Sequence, residues 1–214
     1  MAANDLRGDR PPRGAGLKCR RVGLLGGSFN PAHEGHRHVS LLALKCLRLD
    51  EVWWVVSPQN PLKPAAGMAD LEARLAAARA VARHPRIHVS DIERRLGTRY
   101  TCDTVRALVR RHPRHAFVWI MGADNLAQIP RWRRWTEVFE ALPIAVFDRP
   151  SYSYVALAGA AARRFARHRL SPERAGARAG LAPPAWVFVH STRHPASATR
   201  IRDTGPGAGP GTET

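Results

Sequence analysis

The sequence predicts an α/β protein built on a doubly wound parallel sheet. Short apolar runs alternate along the chain with amphipathic stretches of helical period. The runs themselves, such as RVGLLGG (21–27), EVWWVVSP (51–58) and HAFVWIMG (115–122), are too continuous to leave one face in water. Strands of that kind belong to parallel sheets covered on both sides. Pro58, Pro85 and Pro113 stand where one pattern gives way to the next.

Each element follows from the same reading. After the first strand, GHRHVSLLALKCLRL (35–49) has Val39, Leu42, Ala43 and Cys46 spaced for one helical face. EVWWVVSP is the second strand. MADLEARLAAARAVARH (68–84) is a helix that stops before Pro85, and RIHVSDIE (86–93) is the third strand. TCDTVRALVRRH (101–112) is a helix ending before Pro113, and HAFVWIMG the fourth strand. RWRRWTEVFEAL (131–142) is a helix, PIAVFDRP (143–150) the fifth strand, VALAGAAARRFARHR (155–169) a helix and AWVFVH (185–190) the last strand. Residues 1–19, with RGDRPPRGAG, are expected as a disordered leader and 204–214 as a flexible tail, leaving 20–203 as one catalytic-size domain. The arginine-rich stretch SPERAGARAG (171–180) carries no readable function.

Bulk properties exclude several classes. With 214 residues, 44% hydrophobic and 24% charged, the chain can bury a core without disulfides or a structural metal. Cys19, Cys46 and Cys102 form no C-x-x-C pair, which argues against structural zinc; Cys46 and Cys102 are expected as core or helix-face residues. No secretory signal stands at the start, and no apolar stretch approaches the roughly 20 residues that cross a bilayer. A cytoplasmic protein with no membrane partner is expected. The net charge is +17, yet the arginines are spread along the chain and only three basic side chains, Lys18, Lys45 and Lys63, are lysine. That distribution fits composition plus an anionic small substrate better than a specific nucleic-acid partner.

The chemistry concentrates in GGSFNPAHEGH (26–36), at the end of the first strand. In a doubly wound sheet, ligands sit beyond the carboxyl ends of strands at the topological switch point. Gly26 and Gly27 are expected to let the backbone turn and to leave room for a ligand; Pro31 stiffens the loop. The next helix offers free N–H groups and the positive end of its dipole, which suit phosphate. His33 and His36 lie three apart, so both imidazoles reach one anion across the first turn, with Gly35 between them. Two N–H donors on phosphoryl oxygens stabilise the charge that builds up in phosphoryl or nucleotidyl transfer. A metal pair remains the alternative, without an obvious third ligand; His38 is expected merely solvated or packed. The dinucleotide fingerprint G-x-G-x-x-G is not matched.

GGSFNPAHEGH resembles the G-x-F-[DN]-P-x-[HT]-x-G-H signature of the nucleotidyltransferase superfamily that includes nicotinate mononucleotide adenylyltransferases. Further matches follow in order: SPQNPLK (57–63), GTRYTCDT (97–104), MGADNL (121–126), IPRWRRW (129–135), DRP (148–150) and SATRIR (197–202). The last is similar to I-S-[SA]-T-x-I-R, with Ala196 for the leading isoleucine, and GPGAGPG beyond it breaks the helix that often continues in the family. The resemblance spans about residues 21–203 and fits the bacterial nicotinate mononucleotide subfamily best.

It implies a Rossmann-like nucleotidyltransferase fold and adenylyl transfer from ATP to nicotinate mononucleotide, with Mg²⁺ accompanying ATP. His33, His36 and Arg202 would be the catalytic set. Gly26, Gly27, Ser28, Phe29, Gly122, Asp124, Ser197 and Thr199 would complete the ATP site. Asn60, Lys63, Thr101, Trp132 and Arg149 would hold the mononucleotide. From the residues alone, Thr101 and Thr104 are also plain helix caps, Asp124 a cap, and Trp132 and Trp135 core residues. A phosphopantetheine or polyol-phosphate transferase and a basic nucleic-acid-binding module stay open as alternatives, as does homo-oligomer formation.

Overall fold

The structure is a computed structural model and describes residues 19–59, 67–148, 152–176 and 182–190. Residues 1–18 of the leader, the 204–214 tail and residues 177–180 of the arginine-rich stretch lie outside the described residues. Strands β1 (Arg20–Gly27), β2 (Glu51–Val56), β3 (Ile87–Ser90), β4 (His115–Gly122), β5 (Ile144–Phe147), β6 (Arg169–Leu170) and β7 (Trp186–Val189) form one sheet in the order β3-β2-β1-β4-β5-β7-β6. Every neighbouring pair is parallel. The main helices are α1 (Glu34–Cys46), α2 (Leu71–Ala82), α3 (Ile92–Leu96), α4 (Thr101–Arg111), α5 (Ala123–Gln128), α6 (Trp135–Ala141), α7 (Ser153–Leu157), α8 (Ala160–Arg164) and α9 (Pro172–Ala175).

Both faces of the sheet are buried, as the apolar strands require. On β4, Phe117, Trp119 and Met121 enter one core while Val118 and Ile120 enter the other. On β7, Trp186 and Phe188 alternate with Val187 and Val189 in the same way. Val105 and Leu108 of α4 and Val138 and Phe139 of α6 cover the first side. Ala43 and Leu44 of α1 and Leu75 and Ala78 of α2 cover the second. The chain leaves β1 towards β2 on one flank and returns to β4 on the other, so the switch crevice opens beyond the ends of β1 and β4.

Several sequence expectations change. The third strand ends at Ser90, because Asp91 pairs with Arg94 and Arg95 three and four residues on and starts the short helix α3. Gly97, at φ 64°, closes it. The helix expected over 131–142 begins only at Trp135, after a 3₁₀ turn (Ile129–Arg131) and a left-handed Arg134. The helix expected over 155–169 breaks at Gly159, and the added helix α5 and the two-residue edge strand β6 have too short a period to be seen in the sequence. On α1 the buried face is Ser40, Ala43 and Leu44; Cys46 is exposed, whereas Cys102 is buried. Among the described residues no helix is long and apolar enough to cross a membrane.

Gly26 and Gly27 do not turn the chain: both belong to β1, and neither has a positive φ. A Cβ on Gly26 would lie 2.5 Å from the Trp119 indole, which is itself only 2% exposed and cannot move aside. A Cβ on Gly27 would meet only the Phe29 ring, at 3.5 Å. Gly26→Ala should therefore destabilise the fold by about 1–3 kcal/mol through overpacking. Gly27→Ala should stay within about 0.5 kcal/mol of wild type in a urea titration. Equal losses for the two would contradict this division.

Candidate active site

The loop between β1 and α1 carries the local strain. Phe29 is buried at φ 47°, in the left-handed region. The Phe29 ring stacks on Trp54, with centroids 5.1 Å apart, and lies 4.7 Å from the His36 ring. Trp54 in turn donates its indole N–H to Ser40 Oγ at 2.8 Å, and Ser40 donates to the His36 carbonyl. An aromatic wall anchored on β2 thus fixes the ring of His36.

His33 is the N-cap of α1, and the two histidines cap the helix reciprocally. His33 Nδ1 accepts from the Gly35 N–H at 3.1 Å, and His36 Nδ1 accepts from the His33 N–H at 3.2 Å. An Nδ1 that accepts puts the proton of a neutral imidazole on Nε2. Both rings therefore present an N–H edge, 3.9 Å apart by centroid, at the N-terminus of a thirteen-residue helix. Donors so arranged suit anionic oxygens. His38 is half-buried on the same helix.

The other predicted residues fall into two groups. Ser28 and Phe29 lie in the β1–α1 loop, Gly122 ends β4 and caps α5, and Asp124 is in the first turn of α5. All of these border the switch crevice. Thr101 is the first residue of α4, whose N-cap is Tyr100, so Thr101 is not the cap that local reading allowed. Trp132 follows the 3₁₀ turn, half-buried against the main core, while Trp135 packs edge-on to Phe139 and Phe165. The Thr101 and Trp132 segments meet: Arg134 pairs with Asp103, Arg106 with Glu137 at 3.1 Å, and the Arg133 guanidinium sits 4.8 Å from the Tyr100 ring centre. Asn60, Lys63, Arg149, Ser197, Thr199 and Arg202 lie outside the described residues.

Three groups at this edge escape the sequence reading. Asn30 donates to the Gly67 carbonyl at 3.0 Å and accepts from Ala69 N–H at 3.2 Å, joining two loops. Arg74 is buried, 2% exposed, and burial pushes its pKa down, with nearby Asp70 opposing. Its place was visible in principle: it falls with Leu71, Leu75 and Ala78 on the inward stripe of α2, where an arginine is out of pattern. Glu93, 5% exposed, is pushed up by burial, while hydrogen bonds from Ser57 and Thr104 pull it back. Thr104, fully buried, belongs to this network rather than to a ligand surface.

A doubly wound sheet whose glycine-ended first strand feeds a histidine-capped helix is a Rossmann-like nucleotidyltransferase fold. The chain belongs to the cytidylyltransferase-like family, whose family model matches residues 24–204. A Parvibaculum lavamentivorans protein named "Probable nicotinate-nucleotide adenylyltransferase" is 53% identical over 185 residues, covering 86% of this chain and 92% of its own. A Methylorubrum extorquens protein of the same name is 52% identical over 182 residues, 85% of this chain and 98% of its own. Among solved structures, Plasmodium falciparum nicotinic acid mononucleotide adenylyltransferase complexed with NaAD aligns with a TM-score of 0.65 over 86% of this chain and 83% of its own. At 14% identity, that likeness speaks for the fold alone.

Glu93 makes stability depend on pH with a definite sign. A carboxyl whose folded pKa lies above its unfolded value, here near 4.5, keeps its proton longer in the folded state. Its stabilising contribution is complete below the unfolded value and is lost as pH rises through the folded one. Glu93→Gln does not titrate, so its stability relative to wild type should climb from about pH 4 upward and then level off. Denaturant titrations of both proteins across that range check it; a constant gap would remove Glu93 as the source.

Proposed function

We propose that this chain is a nicotinate-nucleotide adenylyltransferase of NAD biosynthesis. It joins ATP and nicotinate mononucleotide into nicotinate adenine dinucleotide and releases pyrophosphate. The observation that carries the reading is the reciprocally capped His33–His36 pair at the switch crevice, in a chain whose 53% identical relative bears that name over 86% of its length. We place the enzyme in the cytoplasm, with nucleotides rather than nucleic acid as its partners.

The mononucleotide's 5′-phosphate oxygen attacks the α-phosphorus of ATP in line. A new P–O bond forms as the α–β P–O bond breaks, its electron pair leaving on pyrophosphate. The protein's task is positioning and charge stabilisation. His33 and His36 donate Nε2–H bonds to the phosphate oxygens, backed by the N-terminus of α1, and Arg202 adds a fixed cation. Gly27, which adds no side chain beside Ser28 and Phe29, lets the nucleotide approach the main chain. Gly26 supports the strand beneath it, and Gly122, Asp124, Ser197 and Thr199 hold the adenosine and phosphates. Asn60, Lys63, Thr101, Trp132 and Arg149 hold the mononucleotide, Trp132 by stacking on the pyridine ring. Among the described residues no group of three His, Cys, Asp or Glu side chains is disposed around a common point. Mg²⁺ would accompany ATP and supply charge neutralisation at the phosphates.

Two assays test the assignment. Pyrophosphate release should occur with ATP and nicotinate mononucleotide and not with phosphopantetheine or polyol phosphates. In that assay His36→Ala should lower kcat by roughly 10²–10³, the scale of one preorganised donor. The fold should persist, since the lost cap is worth about 1 kcal/mol. Near-normal turnover would remove His36 from the catalytic set.

Selectivity for the acid over the amide has a local basis. The α4 N-terminus favours a carboxylate, and the nearby acids Asp103 and Glu137 are already engaged by Arg134 and Arg106. Among the described residues of these two segments both carboxylates are thus ion-paired, which leaves them poorly placed to accept from an extra amide N–H₂. Nicotinate mononucleotide should therefore exceed nicotinamide mononucleotide in kcat/KM by at least roughly 10²-fold, within the range that unpaired polar groups can deliver. Trp132→Ala should raise KM for the mononucleotide more than for ATP. Equal use of the two mononucleotides would refute the acid-selective pocket while leaving the chemistry in place.

A further inference from the structure

Phe29 keeps its left-handed backbone between two residues that are both tied to the segment 67–74, which leads into α2. Before it, Ser28 O accepts from Arg74 Nη1 at 2.7 Å. After it, the Asn30 side chain donates to Gly67 O at 3.0 Å and accepts from Ala69 N–H at 3.2 Å. The circuit closes on Arg74, whose Nε donates to Ala69 O at 2.8 Å. Two further bonds hold the guanidinium from the end of β2: Nη1 to Ser57 O at 2.7 Å and Nη2 to Pro58 O at 2.9 Å. Ser57 N–H donates in turn to Gly27 O at 2.9 Å, one residue ahead of Ser28. Residues 27–30 are therefore fastened on each side of Phe29, and Arg74 stands where the tethers meet.

A left-handed backbone is unfavourable for a bulky residue and lasts only where the surroundings over-determine it. What the strain secures is the place of the ring. At φ 47° the Phe29 ring stacks on Trp54 and lies 4.7 Å from the His36 ring. Relaxation of φ to negative values would carry the Phe29 ring off that wall and leave His36 free to turn. We infer that Arg74 is a positioning residue: by holding Ser28 O it keeps Phe29 in place, and so fixes the direction in which His36 presents its Nε2–H. The catalytic use of that N–H rests on the function proposed above; the fixing of the ring does not. The role needs no contact between Arg74 and substrate. Four of the five guanidinium N–H groups are spent on main-chain carbonyls, and the residue is 2% exposed, so it supplies geometry rather than a cation for phosphate. Lysine cannot take its place, because an ammonium on a flexible stem lacks the rigid planar fork that meets all four acceptors at once.

Nitrogen–proton correlation spectra of the imidazoles, recorded on the ligand-free full chain, read the ring directly. In wild type His36 should show the single Nε2–H tautomer. In Arg74→Lys it should move to the mixture of tautomers of a free imidazole, while His88, paired with Glu51 at the opposite end of the sheet, stays as it was. Asn30→Ala removes the tether on the other side of Phe29 and should shift His36 in the same direction; it decides the matter if Arg74→Lys does not fold. A His36 signal unchanged in the folded variant would overturn the proposal. Turnover supplies the second reading. Arg74→Lys should lower kcat for pyrophosphate release by about 10–10²-fold, the scale of a small misplacement. In the His36→Ala background the same substitution should change kcat by less than about 2-fold, because the group it positions is gone. Losses that multiply in the double variant would also overturn it. If wild type releases no pyrophosphate from ATP and nicotinate mononucleotide, the proposed function fails instead, and the spectra still decide the positioning.

Discussion

The edge of the sheet that carries the site is organised around one buried cation. Withdrawing a guanidinium from water costs several kcal/mol unless its N–H groups are met. Among the described residues no carboxylate accepts from Arg74; main-chain carbonyls from the loop after β1 and from both ends of the connection between β2 and α2 do. Those loops must then meet at one point, or the charge is left bare. The arrangement turns an energetic liability into a geometric specification. Loops are ordinarily the mobile part of an α/β fold, and here the loops after β1 and β2 are set by a helix residue whose place follows from the packing of Leu75 and Ala78.

The histidine pair depends on that fixed edge. Its donors are useful only if the rings keep one tautomer and one direction, and both properties come from the main chain. The Gly35 and His33 N–H groups occupy the Nδ1 atoms, and Phe29 and Trp54 wall the ring of His36. The left-handed Phe29 is the local expense of this packing, of order 1–2 kcal/mol. It is borne by a residue that is buried and stacked, so the strain does not relax.

What the sequence discloses follows the range of the interaction. The buried strands are legible because a parallel sheet leaves its apolar signature within each short run, and His33 and His36 because a helix start and a three-residue spacing are local. The breaks at Gly159 and Arg134, and the turn from β3 into α3, depend on ion pairs and backbone angles that periodicity does not record. Gly26 reads as room for a ligand, whereas the space is taken by Trp119, a residue far along the chain on the neighbouring strand. Arg74 is hidden for a compositional reason. In a chain this rich in arginine, one more on a helix attracts no notice, and only its position on the apolar stripe sets it apart.

Arg74 and Glu93 are both buried, and among the described residues they are not paired with each other. In a direct ion pair the partner favours the charged form of each group, raising the arginine and lowering the carboxyl. Here burial dominates both: the arginine is pushed down and the carboxyl up. Each buried group is met by neutral dipoles, main-chain carbonyls for Arg74 and the Thr104 hydroxyl for Glu93. A direct pair would neutralise the two with fewer groups, but it would bypass the loop after β2. Because Arg74 turns instead to the Ser57 and Pro58 carbonyls, the loop after β2 is tied to the histidine loop at Ser28.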